Sequence, residues 1–455
     1  MTQSMGERWN NRALFRLLWP LIIEQLLSLT MGVADTVMVS PVGEFALSAV
    51  NIIDNINNFF IIAFTALSTG GAVVVSQYIG RRDSQNAGLA SRQLVYIVSL
   101  ISLIIAVVAI SFRRPVIRTI YGSLEDDVMN AAMTYFLITA LSYPMLAIYD
   151  SCAALFRSSG NTQIPMRIAI LVNIMNIGGN AFFIFVMKMG SAGAALSTLA
   201  SRVVAAAILL TLLVKNHRSP VSLTGIFQIR FIPSMARRIL NVGIPTGLEN
   251  SMFQFGRLLT QRIFPYFGTS MMAANAVTGV INSFSFMTGN AFSFALLTVV
   301  GQCIGAGDYD SAKKYTGKIM KLTWGSVFVI SSLIYIFRGP LTGLFSLSPE
   351  AWAAAKLFLS IHCISMMVGW AFSFALPNAL RAAGDAKYVM TVATISMWTV
   401  RVSVAYILAF ALKIGPAAVW LAMGFDFLTR GTCYILRWKG GRWQNKKVIE
   451  STPAE

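Results

Sequence analysis

Long stretches of apolar residues, separated by short polar segments, recur along the whole chain. They reach the length of about 20 residues that a helix needs to cross the hydrocarbon core of a bilayer. The alternation of apolar and polar positions that is typical of a membrane β-barrel strand does not occur in them. The pattern therefore predicts twelve membrane-spanning helices, at residues 13–39, 48–78, 93–112, 128–152, 165–187, 191–214, 239–266, 270–303, 319–337, 350–380, 388–412 and 415–437.

The second half of the chain repeats the first at an offset of about 225 residues. Between residues 20 and 83, fifteen positions carry the same residue as the position 225 further on. The repeated pairs include Pro20 and Pro245, Glu24 and Glu249, and, at offset 224, Arg157 and Arg381. Because each half holds an even number of predicted helices, both halves enter the membrane from the same side, which makes the repeats parallel. We therefore predict an all-α integral membrane protein with two pseudo-symmetric six-helix bundles.

The longest polar segment lies midway along the chain and separates the two predicted bundles. It is basic and contains two prolines, as expected of a linker. The predicted organisation is an N-terminal six-helix bundle at residues 1–214, a cytoplasmic linker at 215–238, a C-terminal six-helix bundle at 239–437 and a cytoplasmic tail at 438–455.

Composition agrees with a membrane protein, since 56% of the residues are hydrophobic and only 12% are charged. The net charge of +18 would also suit a nucleic-acid-binding protein. Most of the Lys and Arg residues, however, fall on the predicted side that holds both termini. The positive-inside rule then places both termini in the cytoplasm of a multi-pass cell-membrane protein. The charge is explained by topology, and we predict no nucleic-acid partner.

Few residues suit catalysis or a cofactor. The four cysteines show no metal-ligand spacing, and the two histidines belong to no zinc or nucleophile motif. We predict that the protein is not an enzyme and holds no cofactor.

Two carboxylates in the first predicted helix are functional candidates, because charged groups are costly inside a membrane. Glu24 has a twin in Glu249, so an architectural duty such as an ion pair explains both, with a coupling role as the alternative. Asp35 has Thr260 at the twin position. A carboxylate present in one half only is expected to serve a one-sided task, such as binding a proton or Na⁺. The alternative is a hydrated residue near the outer end of its helix.

Three polar residues of the fifth and sixth helices are candidates for the same site. Asn176 and Asn180 are four residues apart and share a helix face. Their amide oxygens, a hydroxyl from Thr198 and the carboxylate of Asp35 would suit a hard cation. Asp35, Asn176 and Asn180 are thus metal ligands only if the ion is Na⁺. Amides that join membrane helices by hydrogen bonds are the alternative.

The C-terminal half offers a separate group of charges. Asp426 and Arg430 can pair along one helix face. Arg401 needs a carboxylate inside its apolar helix, and Glu249 and Asp426 are the candidates. A charge network of Glu249, Arg401 and Asp426 is predicted, either to hold the C-terminal bundle together or to take part in coupling.

Aromatic and methionine side chains are abundant, and Phe59, Met287 and Trp370 are candidates to line a substrate cavity. Soft and flat side chains suit bulky apolar or cationic solutes. They suit lipid contact equally well.

Several of these segments resemble the multidrug and toxic compound extrusion (MATE) family. They are residues 31–38, the motif at 75–83 with its repeat at 300–305, the two Arg-x-x-Gly turns, and the pair Asn176 and Asn180 followed by residues 193–198. The resemblance implies twelve helices in two bundles that form a V, and cation-driven efflux of drug-like organic cations. It also implies that Asp35 is the main coupling residue, surrounded by Asn176, Asn180 and Thr198, which in some members hold Na⁺.

The chain departs from the family pattern at three positions. One branch of the family has an aspartate where this chain has Asn180. The Na⁺-coupled NorM branch has two further carboxylates, at positions that correspond to Phe253 and roughly to Trp370 here. The C-terminal cation site of that branch is therefore expected to be absent.

The sequence thus predicts a secondary active multidrug efflux transporter that works by alternating access. It would exchange H⁺ or Na⁺ for amphipathic, often cationic, organic compounds, act as a monomer, and contact membrane lipid. The alternative is a flippase for a lipid-linked precursor, whose cavity is lined by Arg and Lys. The small number of Arg and Lys residues in the middle of the predicted helices argues against a flippase, while Arg257 and Arg401 leave that alternative open.

Overall fold

The computed structural model describes residues 9–122, 124–216, 219–446 and 448–449. Within these ranges the chain is built of helices, and no strand occurs. The long helices are α1 (Asn11–Val39), α2 (Glu44–Gly80), α3 (Ser84–Ser111), α4 (Asp126–Leu141 with Tyr143–Ser158), α5 (Gln163–Val186), α6 (Gly190–Lys215), α7 (Pro233–Gln261), α8 (Thr269–Gly305), α9 (Tyr309–Ile336), α10 (Pro349–Ala382), α11 (Ala386–Ala411) and α12 (Ala418–Lys439). Short helices, Arg113–Tyr121 and Arg338–Gly343, follow α3 and α9. The all-α fold with twelve long helices is confirmed.

The apolar character of the helices fits a membrane protein. Among the described residues, nine helices are long and apolar enough to span a bilayer, and α4, bent by 43° between its two arms, makes a tenth. The other two, α7 and α12, are less apolar. α7 carries many polar residues, and α12 includes Asp426 and Arg430 in its interior. Polar side chains thus concentrate in two helices of the second half.

The helices form two compact units. Phe15–Ile244 makes up one, the N-unit, and Met1–Leu14 with Pro245–Glu455 makes up the other, the C-unit. In the N-unit, α2 packs against α3 and both arms of α4, and α5 packs against α6. In the C-unit, α8 packs against α9 and α10.

Equivalent turns link the second and third helices of each half. Asp83 accepts a hydrogen bond from the backbone N–H of Asn86 (3.0 Å), and Asp308 accepts one from Ser311 (2.9 Å). Each aspartate therefore caps the N-terminus of the following helix, α3 or α9. This shared role explains why the pair at offset 225 is identical.

Three helices depart locally from the α geometry. Wide π-helical turns occur in α5 at Ala181–Val186, in α10 at Met366–Ala375, and in α11 at Met397–Val402 and Ile407–Ala411. Such turns are rare and are found frequently at functional sites. The turn in α5 begins immediately after Asn180, and the first turn in α11 contains Arg401.

Gly289 of α8 makes room for the indole of Trp370, which is completely buried. A methyl group at position 289 would overlap that ring. Gly289→Ala is therefore expected to lower the free energy of unfolding by about 1–3 kcal/mol, the usual cost of overpacking. Thermal unfolding of the purified protein in detergent, followed by tryptophan fluorescence, measures this change.

Gly279 of the same helix provides the matched control. Nothing lies within 4 Å of the position that a Cβ would take there. Gly279→Ala should leave stability unchanged or raise it slightly, since alanine favours a helix. Equal stability of both variants would show that α8 and α10 can separate at no cost.

Candidate cation-coupling site

Asp35 lies on α1, one turn before its end, and meets α5. Its Oδ1 accepts a hydrogen bond from Nδ2 of Asn180 at 2.6 Å. Asn180 is completely buried, while Asp35 is half-buried. The structure therefore joins two of the predicted site residues, 145 positions apart in the chain.

Asn176 and Thr198 continue this group. Nδ2 of Asn176 donates to the hydroxyl of Thr198 at 3.2 Å, and Nδ2 of Asn180 lies 3.5 Å from Oδ1 of Asn176. All four residues predicted for the site are thus connected by hydrogen bonds. We call Asp35, Asn176, Asn180 and Thr198 the Asp35 group.

Small residues allow α6 to approach α5 closely at this site. A Cβ at Gly179 would overlap the side chain of Ser197, and one at Gly193 would lie 2.9 Å from the backbone of Phe183. The hydroxyl of Ser197 donates to the backbone carbonyl of Asn176 at 2.8 Å. Small residues at helix interfaces are typical of membrane proteins, and here they bring Thr198 within reach of Asn176.

The donors of the Asp35 group suit a small cation. A carboxylate, two amides and a hydroxyl supply oxygen atoms, which hard cations prefer. Oδ1 of Asn180 is buried and has no hydrogen-bond partner among the described residues. A buried oxygen without a partner carries a desolvation cost that a bound cation or proton donor would remove. The residues present therefore fit either H⁺ or Na⁺.

A second carboxylate, Asp54 of α2, lies close enough to Asp35 to interact with its charge. Its Oδ1 accepts hydrogen bonds from the hydroxyl of Tyr135 (3.2 Å) and from Nδ2 of Asn57 (3.4 Å). Oδ1 of Asn57 in turn accepts one from the hydroxyl of Tyr143 at 2.7 Å. Asp54 is therefore held by side chains from α2 and α4.

Arg202 of α6 supplies the positive charge in this part of the N-unit. It interacts with the charges of Asp35, Asp54 and Asp150, and its Nη1 donates to the hydroxyl of Ser142 at 2.6 Å. Asp150 also accepts a hydrogen bond from the hydroxyl of Thr65 at 3.0 Å. One arginine thus interacts electrostatically with three carboxylates in the N-unit.

Asp54 and Asp150 were not among the residues predicted from the sequence. Both lie inside predicted membrane helices, and both lack a carboxylate at the twin position, where Gly279 and Ala375 stand. The criterion that selected Asp35 therefore selects these two residues as well. The signal was present, and a full list of carboxylates within the predicted helices would have found them.

The two glutamates that are repeated between the halves form equivalent ion pairs. Glu24 accepts from Nη1 of Arg157 at 2.6 Å, and Glu249 accepts from Nη2 of Arg381 at 2.6 Å. Each pair therefore joins the first helix of its half to the Arg-x-x-Gly turn of the same half. This geometry favours the architectural interpretation of Glu24.

Asp426 of α12 lies at the centre of the charges in the C-unit. Its Oδ2 is 3.0 Å from Nη2 of Arg430 and 3.7 Å from Nη1 of Arg401, and its Oδ1 accepts from the hydroxyl of Ser396 at 2.6 Å. The structure thus brings together Arg401 and Asp426 as predicted. Glu249, which the sequence analysis placed with them, instead has Arg381 as its partner.

Aromatic residues surround the C-unit charges. Phe253 faces the guanidinium groups of Arg401 and Arg430, whose central carbons lie 5.0 and 5.7 Å from its ring centre.

Of the three residues predicted to line a cavity, Phe59 is 40% exposed, Met287 is half-buried and Trp370 is fully buried. Trp370 contributes to packing in the C-unit, where its ring stacks on Phe374.

Comparisons with known proteins give one consistent answer. A model of the MatE family matches residues 20–182 and 245–407, two segments at the offset of the internal repeat. "Uncharacterized transporter YisQ" of Bacillus subtilis is 30% identical over 439 residues, 95% of each chain. "Probable multidrug resistance protein NorM" of Thermotoga maritima is 26% identical, covering 96% of this chain and 94% of its own. A solved structure, "Outward-facing conformation of a multidrug resistance MATE family transporter of the MOP superfamily", has the same fold with a TM-score of 0.87 and 18% identity, covering 96% of this chain and 97% of that chain.

Proposed function

The chain belongs to the MATE family of multidrug and toxic compound efflux transporters, and on this premise we propose that it exchanges H⁺ or Na⁺ for amphipathic, often cationic, organic compounds. The residues that we propose to bind the cation are the Asp35 group in the N-unit. The observation that carries this proposal is the hydrogen bond from Asn180 to Asp35, within a cluster whose oxygen atoms suit a cation.

Coupling requires that the cation bind differently in two states of the protein, because a ligand shifts an equilibrium only through a difference in affinity. With Asp35 charged, its carboxylate accepts from Asn180 and faces the charges of Asp54 and Arg202. A proton or Na⁺ on Asp35 neutralises that carboxylate and weakens the hydrogen bond that Asn180 donates to it. We propose that this change biases the arrangement of α1 and α5 and so alters access for the substrate.

The proposal includes the membrane in which the protein resides and its orientation there. It is a multi-pass membrane protein, and we propose that it resides in the cell membrane with both termini in the cytoplasm. The concentration of Lys and Arg on one predicted side supports this orientation. A monomer suffices, because the whole Asp35 group comes from one chain.

Separate gradients across proteoliposomes test the function. The purified protein is reconstituted, a cationic dye is supplied, and a pH gradient or a Na⁺ gradient is imposed alone. The proposal expects uphill movement of the dye with at least one gradient, and the effective gradient identifies the ion. Movement that never exceeds equilibration under either gradient would contradict exchange and indicate a passive pathway.

Asn180→Ala is expected to change the apparent affinity for the driving cation about tenfold to a hundredfold, in a direction that depends on the ion. The hydrogen bond that Asn180 donates to the ionised Asp35 contributes about 1.5–3 kcal/mol and stabilises the cation-free carboxylate, so its loss strengthens proton binding. Na⁺ would instead lose the oxygen of Asn180 as a ligand and bind more weakly. The initial transport rate as a function of cation concentration measures this change.

Asn173 provides a matched control on the same helix. Its Nδ2 donates to the carbonyl of Ala169 in its own helix at 2.9 Å, and not to the Asp35 group. Asn173→Ala should therefore leave the cation dependence at that of the wild type. Equal effects at both positions would remove Asn180 from the proposed site.

A further inference from the structure

Two arginines share one carboxylate in the interior of the C-unit. Nη2 of Arg430 and Nη1 of Arg401 both approach Oδ2 of Asp426, at 3.0 and 3.7 Å. The side chains of Arg401, Arg430 and Asp426 are only 7%, 3% and 0% exposed. One negative charge therefore faces two buried positive charges.

Neighbouring groups do not supply the missing negative charge. Among the described residues, Asp426 is the one carboxylate that forms an ion pair with either arginine. Glu249 of α7 is paired with Arg381 at 2.6 Å. Arg257, also on α7, interacts with Arg401 and adds a charge of the same sign. The group therefore carries an excess of positive charge, which is costly when it is shielded from water.

Several N–H donors of the two guanidinium groups are unused. Within the part of the chain that the structure describes, Nε of Arg401 and Nε of Arg430 are buried without a hydrogen-bond partner, while Nη1 of Arg401 and Nη2 of Arg430 contact Oδ2 of Asp426 as ion pairs without forming a hydrogen bond to it. The indole nitrogens of Trp370 and Trp420, buried in the same unit, also lack one. Buried donors normally have an acceptor. Among the described residues Oδ2 of Asp426 also lacks a hydrogen-bond partner, so this interior holds two guanidinium groups with unsatisfied N–H groups against a single carboxylate.

The rings around the arginines stabilise the cations without satisfying those donors. Phe253 lies over both guanidinium groups, and the ring centre of Phe374 lies 4.6 Å from the central carbon of Arg430. Cation–π contacts favour the charged form of arginine. They hold the planar groups in place and leave their N–H edges available. A planar carboxylate matches such an edge with two parallel hydrogen bonds.

We propose that Arg401 and Arg430 form a binding site for a monovalent carboxylate in the C-unit, separate from the Asp35 group. The carboxylate neutralises the excess positive charge and accepts from the unused N–H groups. It belongs either to a small free acid or to a transported substrate that carries both a cationic and a carboxylate group.

The binding step is tested on the full-length protein in detergent, with benzoate as the probe. The midpoint of thermal unfolding is measured as benzoate replaces methanesulfonate at constant ionic strength. The wild type should be stabilised in a saturable manner, because a ligand of the folded state raises stability. No benzoate dependence in the wild type overturns the proposal.

Variants that remove a positive or a negative charge distinguish a binding role of the arginines from a structural role. Arg430→Gln should weaken benzoate binding about tenfold to a hundredfold, by loss of charge-assisted hydrogen bonds. Asp426→Asn should unfold more easily without benzoate and bind it more tightly, because it removes the competing carboxylate. Lys439→Gln removes one positive charge from an exposed position of α12 and should bind as the wild type does. Unchanged benzoate binding in both the Arg430 and Asp426 variants overturns the proposal.

Two dyes distinguish the source of the carboxylate. Rhodamine 110 has a free carboxyl group, and rhodamine 123 is its methyl ester. If the site takes a substrate's carboxylate, Arg430→Gln should lose transport of rhodamine 110 and keep that of rhodamine 123. If it takes a free acid, both dyes should respond alike to the variant and to added benzoate. Either of these outcomes supports the site. The site is overturned if neither the variant nor benzoate changes the transport of either dye. The benzoate titration does not depend on transport, so failure of the proposed exchange would be seen separately.

Discussion

Asp35→Asn is expected to reduce gradient-driven transport in proteoliposomes to the level of protein-free liposomes. An asparagine can neither take up a proton nor offer a negative charge to Na⁺. Its side-chain oxygen can still accept the hydrogen bond that Asn180 donates to Asp35 at 2.6 Å. The variant should therefore fold as the wild type does and fail only in coupling.

The measurement is uphill accumulation of a cationic dye under an imposed pH or Na⁺ gradient, with thermal unfolding recorded for the same preparation. Unchanged unfolding together with lost transport would assign the effect to the missing charge. Accumulation at the wild-type rate would show that coupling lies elsewhere. Asp54 of the N-unit would then be the next candidate, since it interacts with the same charges.

Glu249→Gln is expected to lower the free energy of unfolding by about 3–5 kcal/mol, the cost of breaking a buried ion pair. The Glu249 and Arg381 side chains are 10% and 9% exposed, so the arginine would keep its charge in a site that excludes water. Its remaining described acceptor is Oδ1 of Asn378 at 2.8 Å. Denaturant unfolding of the purified protein measures the change.

Two further variants define the cause. In Glu249→Gln with Arg381→Gln no unpaired charge remains, so the double variant should be more stable than Glu249→Gln alone. Asp310→Asn removes a carboxylate that is fully exposed and 4.0 Å from Lys313, and should leave stability unchanged. A loss in Glu249→Gln no larger than that in Asp310→Asn would show that the buried pair does not hold the C-unit together.

Much of the fold and part of the candidate site followed from the sequence. Helix length and apolar pattern predicted twelve helices, and the offset of 225 predicted the repeat. The spacing of Asn176 and Asn180 placed both on one face of α5, and the structure turns that face toward Asp35. These predictions succeeded because they depend on periodicity within a helix, which a single sequence contains.

Partners on different helices could not be predicted in the same way. Arg381 is 132 residues from Glu249, and no pattern within either helix indicates that their faces meet. The prediction that Glu249 lies with Arg401 and Asp426 was therefore wrong, since its partner is Arg381. Helix packing is decided by the fit of many side chains at once. The repeat did contain the answer, since Glu24 and Arg157 recur together as Glu249 and Arg381.

The paired salt bridges also carry information about the origin of the chain. Equivalent ion pairs and helix caps in the two halves, together with the repeat in the sequence, indicate that the halves arose by duplication of one segment. Asp35 and the pair of Arg401 and Arg430 have no such counterpart. The chemistry that we propose for them is therefore placed where the two halves differ, on a scaffold whose ion pairs and helix caps the halves share.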